Sequence, residues 1–154
     1  MRYDFRTENG AENFKELYPL YARHYHEMWE RLKRDGIECA PFAMRVEQYF
    51  ESWCSGHLIN YVVRTEAGEV VGYSNIYLTN DMHNGEFIAT EDAIYILPGH
   101  RNGIGRKFAK AILDDLKRRG VKRLEVQALT DLRVAKLWKR MGFRHTAHCM
   151  TYTF

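Results

Sequence analysis

Residues 94–108 read Ile-Tyr-Ile-Leu-Pro-Gly-His-Arg-Asn-Gly-Ile-Gly-Arg-Lys-Phe, and this run constrains the fold more than any other part of the chain. An apolar stretch runs into Pro98, passes through a glycine-bearing turn and opens into an amphipathic helical pattern. A strand that turns this tightly into a helix leaves backbone N–H groups pointing outward at the positive end of that helix. Such a terminus binds phosphate, and phosphate in this setting implies a cofactor. The run is not a GxxxxGK[ST] phosphate loop. Nor is it GxGxxG, since only Gly103 and Gly105 are correctly paired for that motif.

The periodicity on either side predicts a strand over residues 1–7, then helices over 13–35 and 45–55. Pro19 marks a kink or an early turn in the first of these, and Gly36 ends it. Strands follow over 58–64 and 70–78, joined by a turn at 66–69 into a hairpin. After a polar loop over 79–85 come a strand over 87–97 and a helix over 104–119 stopped by Gly120. A strand over 121–129, a helix over 132–141 and a last strand within 145–154 complete the pattern. This order implies a mixed α/β fold with helices covering a central sheet.

With 154 residues, 45% hydrophobic and 28% charged, the chain suits a single domain over residues 1–154. No stretch approaches the roughly 18 apolar residues of a membrane span, so no membrane partner is expected. The first six residues lack the apolar run of a signal peptide, which makes the cytoplasm the expected location. Cys39, Cys54 and Cys149 form neither a zinc pattern nor a disulfide scaffold. His24 and His26 belong to no HExxH motif, and no metal is expected. A net charge of +3 does not indicate a nucleic-acid binder. The basic cluster at Lys117, Arg118, Arg119, Lys122 and Arg123 reads as a solvated helix end, where cations are favoured.

In these residues the chain resembles the GCN5-related N-acetyltransferase (GNAT) family over nearly its whole length. The family's Gln/Arg-x-x-Gly-x-Gly/Ala motif falls on residues 100–105, matching at Gly103 and Gly105 and departing at His100, with Arg101 next to it as a source of positive charge. Ile96-Leu97-Pro98 matches the apolar-x-Pro approach to that motif. Residues 131–143 look like the family's late helix and its Gly-Phe ending, with Asp131 at the usual Asn and Trp138 at the usual Tyr. The tyrosine-rich first helix and the loop over 80–83 also resemble acetyltransferases often encoded by bacteriophages.

The resemblance implies a central mixed sheet flanked by helices on both faces, and acetyl-CoA as cofactor. It implies that amides of Asn102, Gly103, Ile104, Gly105 and Arg106 hold the pyrophosphate. Gly103 also permits close backbone approach. Ile96 and Leu97 would offer backbone groups to the pantetheine arm beside a splay between two strands, with Asp131 and Trp138 also on the cofactor side. The implied reaction transfers acetyl directly to an amine of a small molecule or a protein. A carboxylate, acting directly or through water, then takes the amine's proton, and a hydrogen-bond donor meets the oxyanion. Glu91 and Asp92 interrupt an apolar strand just ahead of the motif and are the base candidates. Alternation along a strand would bring only one of them to the cleft. Trp138 has no acidic proton to give near neutral pH, so Tyr95, His83 and Tyr77 are the substitute acids. Tyr18, Tyr21, Tyr25 and Trp29 form a stripe that packs, lines the acceptor cleft, or both. Glu27 and Glu30 could attract a cationic amine. The alternative to catalysis is an inactive CoA-binding regulatory or interaction module. A homodimer is compatible with a last strand that pairs or exchanges with a neighbour.

Overall fold

The computed structural model describes residues 2–128 and 132–154. Its elements are β1 (Tyr3–Glu8), α1 (Phe14–Arg34), α2 (Val46–Cys54), β2 (Leu58–Thr65), β3 (Val70–Asn80), β4 (Phe87–Ile96), a 3-10 turn (Pro98–His100), α3 (Ile104–Arg118), β5 (Arg123–Glu125) and α4 (Leu132–Arg140). The sheet runs β1-β2-β3-β4-β5. Neighbours are antiparallel except β4 and β5, which are parallel and joined by the α3 crossover.

Helices cover both faces, and the sequence shows why. β2 is buried continuously from Leu58 to Val63, the pattern of a strand packed on two sides rather than one. On one face Val63, Val71 and Ile76 meet Ile104, Phe108, Ile112 and Leu116, the four-residue stripe of α3. On the other face Val62, Val70 and Tyr73 meet Leu17, Leu20 and Tyr21 of α1 and Trp53 of α2. Pro19 lies inside α1 rather than at its start.

One charged cluster ties three elements together. The Arg64 guanidinium on β2 donates to Glu8 on β1 at 2.6 and 2.8 Å, and to Glu16 on α1 at 2.8 and 2.7 Å. Asn13 adds a further donor to Glu8 at 2.7 Å. Arg64 beside it, aided by Asn13 and Arg6, outweighs burial and holds the Glu8 carboxyl down at about 2.

Two expectations are corrected. The strand over 121–129 shrinks to the three residues of β5, because β4 and β5 pair only from Ile88 with Arg123 to Thr90 with Glu125. No strand forms within 145–154, where every residue is exposed. Met150, Tyr152 and Phe154 alternate as a strand would, yet they cover no apolar surface. Nothing therefore offsets the entropy of ordering them.

Candidate functional site

The site is built where β4 leaves its partner. Past Thr90 and Glu125 the β4–β5 ladder ends. The next link is a side chain: Glu91 Oε2 accepts the Gln127 backbone N–H at 3.2 Å. Glu91 thus stands in the fork of two diverging strands. Burial pushes its carboxyl up to about 7, with the Gln127 N–H opposing and the Asp92 charge adding to the rise. A carboxylate of that kind exchanges a proton near neutrality, as a general base requires.

Asp92 follows Glu91 directly but turns to the α1–α2 face of the sheet. The β3–β4 register runs Asn75 to Ala93 and then Ile76 to Glu91, which leaves Asp92 as an extra residue. Such a bulge turns consecutive side chains to one side. Ala93 packs with the α1–α2 core, and Asp92 Oδ2 accepts the Tyr49 hydroxyl of α2 at 2.7 Å. Glu91, opposite Ile76, therefore lies on the α3 face of the sheet, whereas Asp92 and Ala93 share the α1–α2 face. Crowding by protein raises the Asp92 carboxyl above its ordinary value, and the Tyr49 hydrogen bond pulls it back, while the residue keeps an open side to solvent. Tyr49, read from sequence only as part of an apolar helix face, is the Asp92 partner that reading missed. Its signal is the packing of α2 on β4, which no local residue type announces.

Further along β4, Ile96 sits opposite Gly72. The next pair is bonded, with Leu97 N–H donating to Val71 O at 2.9 Å. Alternation in an antiparallel ladder therefore turns the Ile96 backbone groups outward, to the open side of the fork. Leu97 has no such freedom, since its carbonyl also accepts His100 N–H at 2.9 Å. Gly103 is the N-cap of α3 at φ 78°. A Cβ there would meet no atom within 4 Å, so it is the left-handed backbone, not crowding, that demands glycine. The Gly103 N–H turns back to Arg101 O at 2.7 Å. No side chain caps α3, and the first-turn amides of Ile104, Gly105 and Arg106 have no intrahelical acceptor. Arg106 and Asn102 are exposed beside them.

Tyr95 faces α1 rather than the fork. Its hydroxyl donates to Glu27 Oε1 at 2.6 Å, and burial together with that bond pushes it up to about 12. Tyr73 and His24 complete this layer: His24 Nδ1 lies 2.7 Å from the Tyr73 hydroxyl, and the His24 ring stacks on Tyr95 at 4.7 Å between centroids. Tyr77 packs against the same face, beside His57 at 5.2 Å. His83 is exposed on the β3–β4 hairpin loop, its N–H donating to Asp81 at 2.8 Å. That loop lies at the opposite end of β4 from α3, and His83 is not brought to the fork. Trp138 is 6% exposed and packs against Phe143. Its indole Nε1 is buried without an acceptor. Asp131 lies outside the described residues.

Outward Ile96 backbone, an uncapped helix N-terminus and adjacent arginines together suit a cofactor with an amide-bearing arm and a diphosphate. The residues present fit acetyl-CoA.

Comparison with known proteins agrees with this fold. The model of the Acetyltransferase (GNAT) family matches residues 14–143. No curated protein matches the chain. Among solved structures, a tetramutant of the BH1408 protein from Bacillus halodurans superposes with a TM-score of 0.79 at 16% identity, covering 98% of this chain and 99% of that one. A ribosomal-protein-alanine N-acetyltransferase from Brucella melitensis superposes at 0.74 with 17% identity and full coverage of both chains, 100% and 100%. An aminoglycoside antibiotic 6'-N-acetyltransferase from Acinetobacter baumannii gives 0.68 at 13% identity, covering 99% and 98%. At these identities the likeness is one of fold.

Proposed function

The chain belongs to the acetyltransferase (GNAT) family, and we propose that it acetylates a primary amine of a small molecule or protein by direct attack at the β4–β5 fork. The observation that carries this reading is Glu91, a carboxylate at the mouth of the fork whose proton affinity is set near neutrality.

Bound acetyl-CoA supplies a thioester-activated acetyl group; the rest falls to the chain. The first-turn amides of α3 and the arginines beside them would hold the diphosphate. The outward Ile96 backbone would offer its N–H and C=O to the pantetheine arm. Glu91 takes the proton of the incoming amine, directly or through one water. Asp92, fixed by Tyr49, holds negative charge beside it and attracts the amine as its ammonium form. Its charge also adds to the rise of the Glu91 carboxyl. Trp138 can donate a hydrogen bond but no proton, and Tyr95 is engaged by Glu27. We therefore assign no general acid.

Two relatives of this fold are named for amine acceptors of different size, a ribosomal-protein alanine and an aminoglycoside. The test is titration calorimetry with acetyl-CoA and with NAD, followed by thiol-release assays against aminoglycosides, polyamines and peptide N-termini. Expected are one acetyl-CoA site, no NAD binding, and turnover with one amine class that Glu91→Gln lowers about 10²- to 10⁴-fold. Folded protein that ignores acetyl-CoA overturns the reading. Binding without turnover on any amine replaces it with a CoA-binding module.

A further inference from the structure

A charge cluster between α1 and the cofactor loop is left over by the acetyl-transfer chemistry. Arg101 Nη2 donates to Glu27 Oε2 at 2.7 Å, and Arg101 Nε donates to the Ile96 carbonyl at 2.7 Å. The same guanidinium lies over the Tyr95 ring, 5.3 Å from its centroid. The second Glu27 oxygen accepts from Tyr95, and Arg23 approaches it at 3.6 Å.

Two features of this cluster are unequal. Glu27 is anchored through a Tyr95 that is 5% exposed, whereas the Arg101 side chain is 47% exposed and only its head is held. Both of Arg101's acceptors also have another use. The Ile96 carbonyl lies on the open edge of β4, where the pantetheine arm is expected. Glu27 is a carboxylate on α1, the helix that the family resemblance makes one wall of the acceptor cleft. Arg101 itself precedes Gly103 by two residues, at the uncapped start of α3. A guanidinium in that position has a stronger acceptor in a diphosphate than in one shared carboxylate and one carbonyl.

We propose that Arg101 is an exchangeable latch: it holds Glu27 and the Ile96 carbonyl in the cofactor-free protein, and moves to the diphosphate when coenzyme A binds, freeing both at once. The cofactor arm then finds its backbone acceptor, and Glu27 becomes available to a cationic amine only in the loaded protein. His24 does not neutralise Glu27, because burial drives its ring down to about 4 and leaves it uncharged at neutral pH. Arg23, 3.6 Å from Glu27, stays beside the freed charge. This inference rests on acetyl-CoA being the cofactor.

The test is a double-mutant cycle read by calorimetry, with coenzyme A and with pantetheine, which lacks the diphosphate. In the latch, Glu27 competes with the diphosphate for Arg101. Glu27→Gln keeps the Tyr95 hydrogen bond and should tighten coenzyme A about two- to fivefold, the range of one exposed ion pair. Its affinity for pantetheine should not change. Arg101→Ala should weaken coenzyme A about tenfold, the loss of a charge-assisted contact. Adding Glu27→Gln to Arg101→Ala should then do nothing further, because the competitor has no arginine left to hold. A Glu27→Gln protein that binds coenzyme A no better than wild type overturns the latch. So does one that binds better to the same extent in both backgrounds, which marks a general loosening of α1. Wild-type protein that binds no coenzyme A overturns the cofactor assignment and the latch together; binding with a flat cycle overturns the latch alone.

Discussion

Glu8 and Glu91 are the same side chain in the same sheet, and the fold drives them in opposite directions. Glu8 is held down at about 2 by Arg64, with Asn13 and Arg6 in support. Glu91 is raised to about 7 by burial, beside a second carboxylate and with one backbone N–H as its donor. At the β1–β2 edge every lone pair of the carboxylate has a partner, so charge serves cohesion. At the β4–β5 fork the ladder stops before it can supply partners, so charge is destabilising and the proton becomes exchangeable. The difference separates a structural carboxylate from a chemical one without reference to sequence position.

The sharpest way to break the comparison is Glu91→Gln. Turnover should fall about 10²- to 10⁴-fold, the usual contribution of a general base, while calorimetry gives unchanged acetyl-CoA affinity. The same substitution should stabilise the protein at pH 8 by about 2 kcal/mol, because it removes a carboxylate that is costly to ionise. Urea unfolding measures that. A variant that loses activity and stability together would mean that Glu91 belongs with Glu8 as a structural group.

Arg64→Ala should act in the opposite sense. It strands Glu8 and Glu16 without their cation and should cost about 2–4 kcal/mol of stability, with kcat unchanged in the surviving folded protein. An unfolding midpoint equal to that of wild type would show that solvent replaces the arginine and that the cluster is decorative.

The two carboxylates also give stability slopes of opposite sign. Glu8 has a folded value below its unfolded one, so its contribution is complete above about pH 4.5 and is lost as pH falls toward 2. Glu91 has a folded value above its unfolded one. Its protonated form is the favoured one, so that contribution is lost as pH rises through about 7. Acetyl transfer should instead rise through about pH 7, as the base form appears. A kcat/KM profile flat from pH 6 to 8 in wild type would remove Glu91 from the reaction.

The sequence carried the parts of this molecule that local chemistry dictates. Gly103 was visible because its backbone demands a left-handed residue, and α3 because Ile104, Phe108, Ile112 and Leu116 recur at helical spacing. The β2–β3 hairpin and the α3 crossover were legible from the turn at 66–69 and the strand–helix–strand run, whereas the pairing of β1 with β2 was not. The site was legible as two candidate carboxylates and no further. The bulge that puts Asp92 and Ala93 on one face depends on register with β3, which no residue in 91–93 encodes. The early end of β5 depends on divergence from β4, and an apolar run over 121–129 does not distinguish a paired strand from an unpaired one. Alternation in the last ten residues was a true local pattern without a surface to bury against. The pair Arg101 and Glu27, 74 residues apart, was invisible until α1 lay beside the loop.

Tyr49→Phe probes the narrowest part of the comparison, the single hydrogen bond that keeps Asp92 from behaving as Glu91 does. The Tyr49 ring stays packed near Trp53 and Tyr21, so the loss is confined to one hydroxyl donating at 2.7 Å. One such bond contributes about 0.5–1.5 kcal/mol, which sets the expected fall in kcat/KM at about two- to tenfold. The more telling readout is the pH profile. Without its donor the Asp92 carboxyl rises further, so less negative charge stands beside Glu91 at a given pH. The limb near pH 7 should therefore move down, because the Asp92 charge helps to hold the Glu91 carboxyl up. If Asp92 only decorates the mouth of the fork, the limb stays where it was and the rate loss, if any, is the same at every pH.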